Sequence, residues 1–220
     1  MSAALHCDAI LFDLDGVLVD SRSVVERTWH RWAALRGVHD PALVQRAHGR
    51  RSIETVREAA PHLDAEEEVR WLAAAELADF DGVRALPGAA RALTALKEGE
   101  WAVVTSGGNE LAQRRLAYAK LPIPSVLVAA EAVAAGKPAP DGYRLAADRL
   151  GLDPSRCVVI EDTPAGIQSG RLARARVVAL STTFPKAALA GAEVVANSLA
   201  DIDIRRSTSG LLLQVTQGVA

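Results

Sequence analysis

The chain has 220 residues, half of them apolar, and a formal net charge of −2. That length supports one large core, or a core with a smaller insert, and the mixed, dispersed charge excludes the basic footprint of a nucleic-acid binder. Cys7 and Cys157 are too few for a disulfide-stapled secreted domain or a zinc site and read as small buried apolar side chains.

The first 20 residues carry Asp8, Asp13, Asp15 and Asp20, which is not the pattern of a signal peptide. No stretch approaches the roughly 18 apolar residues that span a bilayer. A cytoplasmic protein with no membrane partner is expected.

Short runs rich in Val, Ile and Leu recur along the chain, each followed by a helical pattern. Residues 9–12, 101–104, 126–128, 158–160 and 177–180 read as strands. Residues 86–97, 110–119, 141–150 and 164–174 read as helices between them. This alternation predicts an α/β fold built on a doubly wound parallel sheet, covered on both faces. From about Ser23 to Ala78 the alternation stops and only helical patterns appear, at 23–35, 42–47, 53–59 and 65–78. Asp64 is placed to cap the last of these. A helical bundle is therefore expected to be inserted after the first strand, as residues 17–86, with the core formed by 1–16 and 87–220. Trp29 and Trp32, three apart on one helix, read as packing residues. The segment 201–215 reads either as a hairpin turning at Ser209-Gly210 or as a partly ordered tail.

The chemistry concentrates at the predicted strand ends. Phe12-Asp13-Leu14-Asp15-Gly16 follows the first strand. Two carboxylates two residues apart repel one another, and a bound divalent cation relieves that repulsion. This end of a parallel strand is also where ligands bind in open α/β sheets. An ordinary Asx-rich turn is the alternative for that motif taken alone. The second strand ends in Thr105-Ser106-Gly107-Gly108, whose hydroxyls and N–H groups suit phosphate oxygens. Lys137, one of only four lysines, follows the third strand and could balance phosphate and carboxylate charge. Glu161-Asp162-Thr163 ends the fourth and offers a second acidic pair to a hard cation.

With these motifs in this order, the chain resembles the haloacid dehalogenase-like superfamily of phosphotransferases. The motifs that carry the resemblance are FDLDG at 12–16, TSGG at 105–108, GKPAPDGY at 136–143 and VVIEDTPAG at 158–166. The insert resembles the helical cap of that superfamily. HGRRS at 48–52 looks most like the sugar phosphatase and glycerol-phosphate phosphatase branch.

The resemblance implies a Rossmann-like core and a phosphatase acting on a small phosphate ester. Asp13 would be the nucleophile and Asp15 the acid/base. Thr105 and Lys137, with Ser106 and Gly107, would hold the phosphoryl group. Mg²⁺ would lie among Asp13, Asp15, Glu161 and Asp162, with Asp15 contributing its carbonyl and Glu161 binding directly or through water. The polar turn His48, Gly49, Arg50, Arg51 and Ser52 would read the rest of the substrate, the alternative being a solvated loop.

Asp15 separates the chain from dehalogenases, and the absence of lysine from the insert separates it from imine-forming phosphonatases. A phosphosugar mutase similar to β-phosphoglucomutase is the second enzyme reading. Relatives of that kind carry a His in the first cap helix where this chain has Val25. A phospho-acceptor switch is the non-enzyme reading, and it has no use for a large cap. The expected assembly is a monomer or weak homodimer. One departure is Ala173-Arg174, where relatives place Ala-Gly at a helix end.

Overall fold

A computed structural model describes residues 2–207 and 210–216. The chain opens with strand β1 (Ser2–Cys7) and crosses at Asp8 into β2 (Ala9–Phe12). A two-residue strand, β3 (Val19–Asp20), leads into four helices: α1 (Arg22–Arg36), α2 (Leu43–Ala47), α3 (Ser52–Ala59) and α4 (Ala65–Leu77). The chain returns through β4 (Arg84–Ala85), which pairs antiparallel with β3. Strand–helix alternation then resumes with α5 (Ala89–Thr94), β5 (Trp101–Val104), α6 (Asn109–Tyr118), β6 (Leu127–Val128), α7 (Asp141–Arg149), β7 (Cys157–Glu161), α8 (Pro164–Leu172), β8 (Arg176–Leu180) and β9 (Val194–Ala196). Strands β10 (Ile202–Ser207) and β11 (Gly210–Thr216) follow.

The main sheet has six parallel strands in the order β6-β5-β2-β7-β8-β9. Its strands are apolar along their length, apart from Glu161 at the end of β7 and Arg176 at the start of β8, because both faces are covered. Ile10, Phe12, Val103, Val158 and Ile160 point to one face, with Ala89, Leu93, Ala112 and Leu116 of α5 and α6. Ala9, Leu11, Ala102, Val104 and Val159 point to the other, against Tyr143, Ala146 and Ala147 of α7 and Ile167 of α8. The two-residue side-chain period of a strand produces this division. Both cysteines are buried and free, as their sequence reading expects.

A second sheet, β1-β11-β10, is antiparallel and covers the first of these faces with Leu5, Leu211, Leu213 and Val215. Residues 202–207 and 210–215 of the segment are thus paired strand rather than tail. The expected turn residue Ser209 lies outside the described residues. Neither β1 nor β9 is anticipated by the sequence patterns.

The four helices of the insert bury their own cluster of Trp29, Trp32, Leu43, Val56 and Leu72. The two tryptophan rings meet edge to face at 5.4 Å, which confirms their packing role. Trp32 also donates its indole N–H to Glu68 at 2.7 Å, and Arg36 pairs with the same carboxylate at 2.8 Å. A buried carboxylate needs such partners. Asp64 caps α4 by accepting from the Glu67 N–H at 3.0 Å. Arg174 occupies the left-handed region with φ of 72°, just past the end of α8. An arginine there costs on the order of 1 kcal/mol relative to glycine. No helix among the described residues is long and apolar enough to cross a membrane.

Candidate functional site

Parallel register brings the motifs together. Phe12 lies opposite Val103 on one side and Ile160 on the other. Asp13, Thr105 and Glu161-Asp162 therefore leave neighbouring strands at the same edge of the sheet. Lys137 arrives from the loop after β6. All of these side chains are buried.

Lys137 is the hub. Its Nζ donates to Asp13 Oδ1, to Glu161 Oε1 at 2.6 Å and to the Val104 carbonyl at 3.2 Å. Burial alone would lower its pKa, but Asp13 and Glu161 outweigh that and raise it, so it stays charged. Tyr143 adds its hydroxyl to Glu161 Oε1 at 3.0 Å. The other oxygen, Oε2, accepts from the N–H groups of Asp162 and Thr163 and from the Thr163 hydroxyl at 2.9–3.1 Å. Burial pushes Glu161 up, but Lys137 and these N–H donors hold it below the usual glutamate range. Both of its oxygens are occupied.

Asp162 is the opposite case. Its two carboxylate oxygens are buried and have no hydrogen-bond partner among the described residues. Desolvation, followed by the charges of Glu161 and Asp13, drives its pKa well above the usual value. Desolvation likewise pushes Asp13 up to about 7 despite Lys137. Oxygens of Asp13, Glu161 and Asp162 lie within 4.8 Å of one another. Three buried carboxylates thus face a single ammonium. A divalent cation with oxygen ligands would supply the missing charge and partners for Asp162.

Thr105 Oγ1 accepts from the Gly107 N–H at 3.0 Å, which shapes the loop after β5. Asp15 stands apart from the three clustered carboxylates. Its Oδ1 accepts from Ser21 Oγ at 2.6 Å and from Arg115 Nη1 at 2.9 Å. Arg115 reaches on to Glu76 Oε2 at 3.0 Å.

The insert closes over this edge. Asp13, Asp15, Thr105, Ser106, Gly107 and Asp162 line one cavity, and Val25, Trp29, His48, Gly49, Arg50 and Ser52 line it from the insert. Ser106 Oγ donates to the Gly49 carbonyl at 3.0 Å, tying the two sides. Desolvation lowers the His48 pKa, so its ring is neutral at neutral pH. Two members of the polar turn are engaged elsewhere. Arg50 forms a bidentate pair with Glu58 at 2.6–2.9 Å while still lining the cavity. Arg51 does not line it. Arg51 pairs with Glu54 and donates to the carbonyls of Val133 and Ala134 at 3.2 and 3.1 Å, latching the insert to the core. Sequence reasoning missed Ser21, Glu76 and Arg115, and it quoted Tyr143 within the motif at 136–143 without giving it a role. The one available signal was Arg115, a charge on the stripe of α6 that also holds Leu111, Ala112 and Leu116.

Residues 7–174 match the family described as haloacid dehalogenase-like hydrolase. Hexitol phosphatase A of Escherichia coli (strain K12) is 39% identical over 211 residues, covering 94% of this chain and 98% of that protein. The 2-deoxyglucose-6-phosphate phosphatase 2 of Saccharomyces cerevisiae is 32% identical, covering 94% and 95%. A hydrolase from Pseudomonas syringae superposes with a TM-score of 0.80 at 27% identity, covering 88% of this chain and 95% of that one. The motif order, the geometry and these similarities agree: the chain belongs to the haloacid dehalogenase-like hydrolase family.

Proposed function

We propose that the protein is a Mg²⁺-dependent phosphatase that hydrolyses a small sugar or polyol monophosphate through an aspartyl phosphate on Asp13. The observation that carries this reading is the cluster of three buried carboxylates around one ammonium, beneath a polar cavity. The similarity to hexitol and deoxyglucose phosphate phosphatases supports the substrate class.

In this reading the Asp13 carboxylate attacks phosphorus, an O–P bond forms and the bond to the leaving alkoxide breaks. Asp15 gives that alkoxide its proton, then takes one from the water that cleaves the acyl phosphate, releasing inorganic phosphate and restoring Asp13. Lys137 holds Asp13 and balances charge gathering on the phosphoryl oxygens. Thr105, Ser106 and Gly107 cradle those oxygens. Asp13, Asp162 and the Asp15 carbonyl would hold Mg²⁺, which offsets phosphate charge when bound. Glu161, its oxygens already taken by Lys137, Tyr143 and the turn, contributes by fixing Lys137 and the loop that carries Asp162. Val25 brings no proton-transferring group to the cavity, which favours hydrolysis over the mutase alternative.

The test is a hydrolysis screen over phosphorylated sugars and polyols with Mg²⁺. Release of phosphate from a subset of that panel is expected, lost in Asp13→Asn. Activity confined to nucleotides or phosphoproteins would overturn the substrate class, and wild-type inactivity on every ester would overturn the phosphatase reading.

A further inference from the structure

Arg115 has no place in the motifs, yet its side chain is only 4% exposed and joins two carboxylates from different parts of the chain. Nη1 reaches Asp15 on the core loop and Nη2 reaches Glu76 in the last turn of α4, within the insert. A guanidinium is rigid and planar, so the partner on one nitrogen sets the plane presented by the other. Glu76 is itself buried, which fixes that plane from the insert side. One turn further on, Phe80 stacks on Tyr118 of α6 with ring centroids 5.3 Å apart. The seam between α4 and α6 is thereby held at two points.

On Asp15 the two donors, Arg115 and Ser21, fall on the same oxygen. Oδ1 is filled, and Oδ2 is left to carry the proton toward the cavity. We propose that Arg115 is a positioning residue, which holds Asp15 through Oδ1, directs Oδ2 at the leaving group, and takes its own orientation from Glu76 of the insert. The acid/base geometry is then assembled jointly by core and insert. This rests on the phosphatase reading above.

The test uses Arg115→Lys, which keeps the charge and loses the two fixed directions, and Glu76→Gln, which acts from the other end should the first variant not fold. Phosphoenzyme formation is measured by acid quench with a polyol phosphate, whose alkoxide needs a proton, and with a nitro-substituted aryl phosphate, whose phenolate does not. For the polyol phosphate, Arg115→Lys is expected to slow the step by about a hundredfold, the lower end of what a positioned general acid contributes. KM should move much less, the aryl ester should form phosphoenzyme at close to the normal rate, and Glu76→Gln should show the same selectivity more weakly. Placed in an Asp15→Asn background, Arg115→Lys should add no further loss. Equal losses on both esters, or full additivity with Asp15→Asn, would overturn the proposal and leave Arg115 a packing residue. Failure of the wild type to hydrolyse either ester is a different outcome and would remove the phosphatase reading itself.

Discussion

The carbonyl of Gly49, in the insert, accepts a 3.0 Å hydrogen bond from the hydroxyl of Ser106, in the loop after β5. The backbone approaches the core closely here. Gly49 has φ of +77°, and a Cβ built on it would come within 2.5 Å of Thr163 Oγ1. Gly49→Ala should hold the insert away from the core. Turnover of a sugar or polyol phosphate should fall by about tenfold to a hundredfold, the scale of a misplaced reacting geometry. The melting temperature should fall only modestly, by about 2–4 °C for each kcal/mol that a non-glycine residue costs at positive φ. Unchanged steady-state kinetics would show that closure does not depend on this contact.

Asp13→Asn should abolish turnover and leave the fold intact. Its carboxylate sits against Lys137 at the end of β2, where the proposed mechanism puts the nucleophile. A phosphate-mimicking metal fluoride should localise on Asp13 in the wild type. Appreciable activity in the variant would exclude it as the acceptor.

Divalent cation should stabilise the protein, because Asp162 has buried oxygens without partners. Binding to the folded state alone adds about 2.7 kcal/mol at a hundred times Kd. Thermal melts with and without Mg²⁺ should show the rise in Tm, and Asp162→Asn should shrink it. Chelation should remove activity and Mg²⁺ should restore it. Identical melts in chelator and in Mg²⁺ would contradict the assignment.

His48 and Arg50 should now differ. The neutral His48 ring lines the cavity and can bond a hydroxyl. The guanidinium of Arg50 is held by Glu58. His48→Ala should lower kcat/KM for the best polyol phosphate by about fivefold, as expected for one neutral hydrogen bond of about 1 kcal/mol. Arg50→Ala should do less. Both should affect an aryl phosphate less than the polyol ester. Equal losses on the two esters would assign the turn to closure and not to recognition.

Acid should weaken the helical insert through Glu68. Burial pushes its carboxyl up, but hydrogen bonds from Arg36 and Trp32 outweigh it and hold the pKa below the usual value. A lowered folded pKa means that the unfolded chain binds more protons as pH falls, so stability present at neutral pH is lost through the acidic range. Between about pH 5 and pH 3, denaturant melts of the wild type should lose stability faster than those of Glu68→Gln. Parallel pH dependence in the two proteins would dismiss Glu68 as the source.

What could be read in advance followed from local pattern. Continuous apolar runs at residues 9–12, 101–104 and 158–160 mark strands buried on both faces, and the polar groups that follow them mark the reactive edge. Strand β1 escaped because its partner, β11, lies near the other end of the chain, and pairing across that distance leaves no mark in a six-residue window. The helix expected over 86–97 is shorter, Ala89–Thr94, and its late start follows from Gly88, which turns with φ of 88° immediately before it. At the site, the residues within motifs were legible and the partners that orient them were not. Arg115 offered only the weak signal of a charge on the buried stripe of α6, and its partners Asp15 and Glu76 lie far from it in the sequence, whereas Arg114 pairs with its helical neighbour Glu110. Arg51 looked like a substrate contact, and the structure instead spends its donors on Val133 and Ala134.

The two-residue ladder of β3 and β4 sets the ends of the helical excursion side by side, and Asp20 is further tied to Arg84 at 2.6 Å. An excursion whose ends are already joined can be lengthened, shortened or exchanged with little strain at the joint, because closing a longer loop costs only slowly more. The core strands would keep their register through such a change. Evolution, or an engineer, can therefore graft a different set of helices between Asp20 and Arg84, but the graft must bring its own counterpart of Glu76 for Arg115 to find.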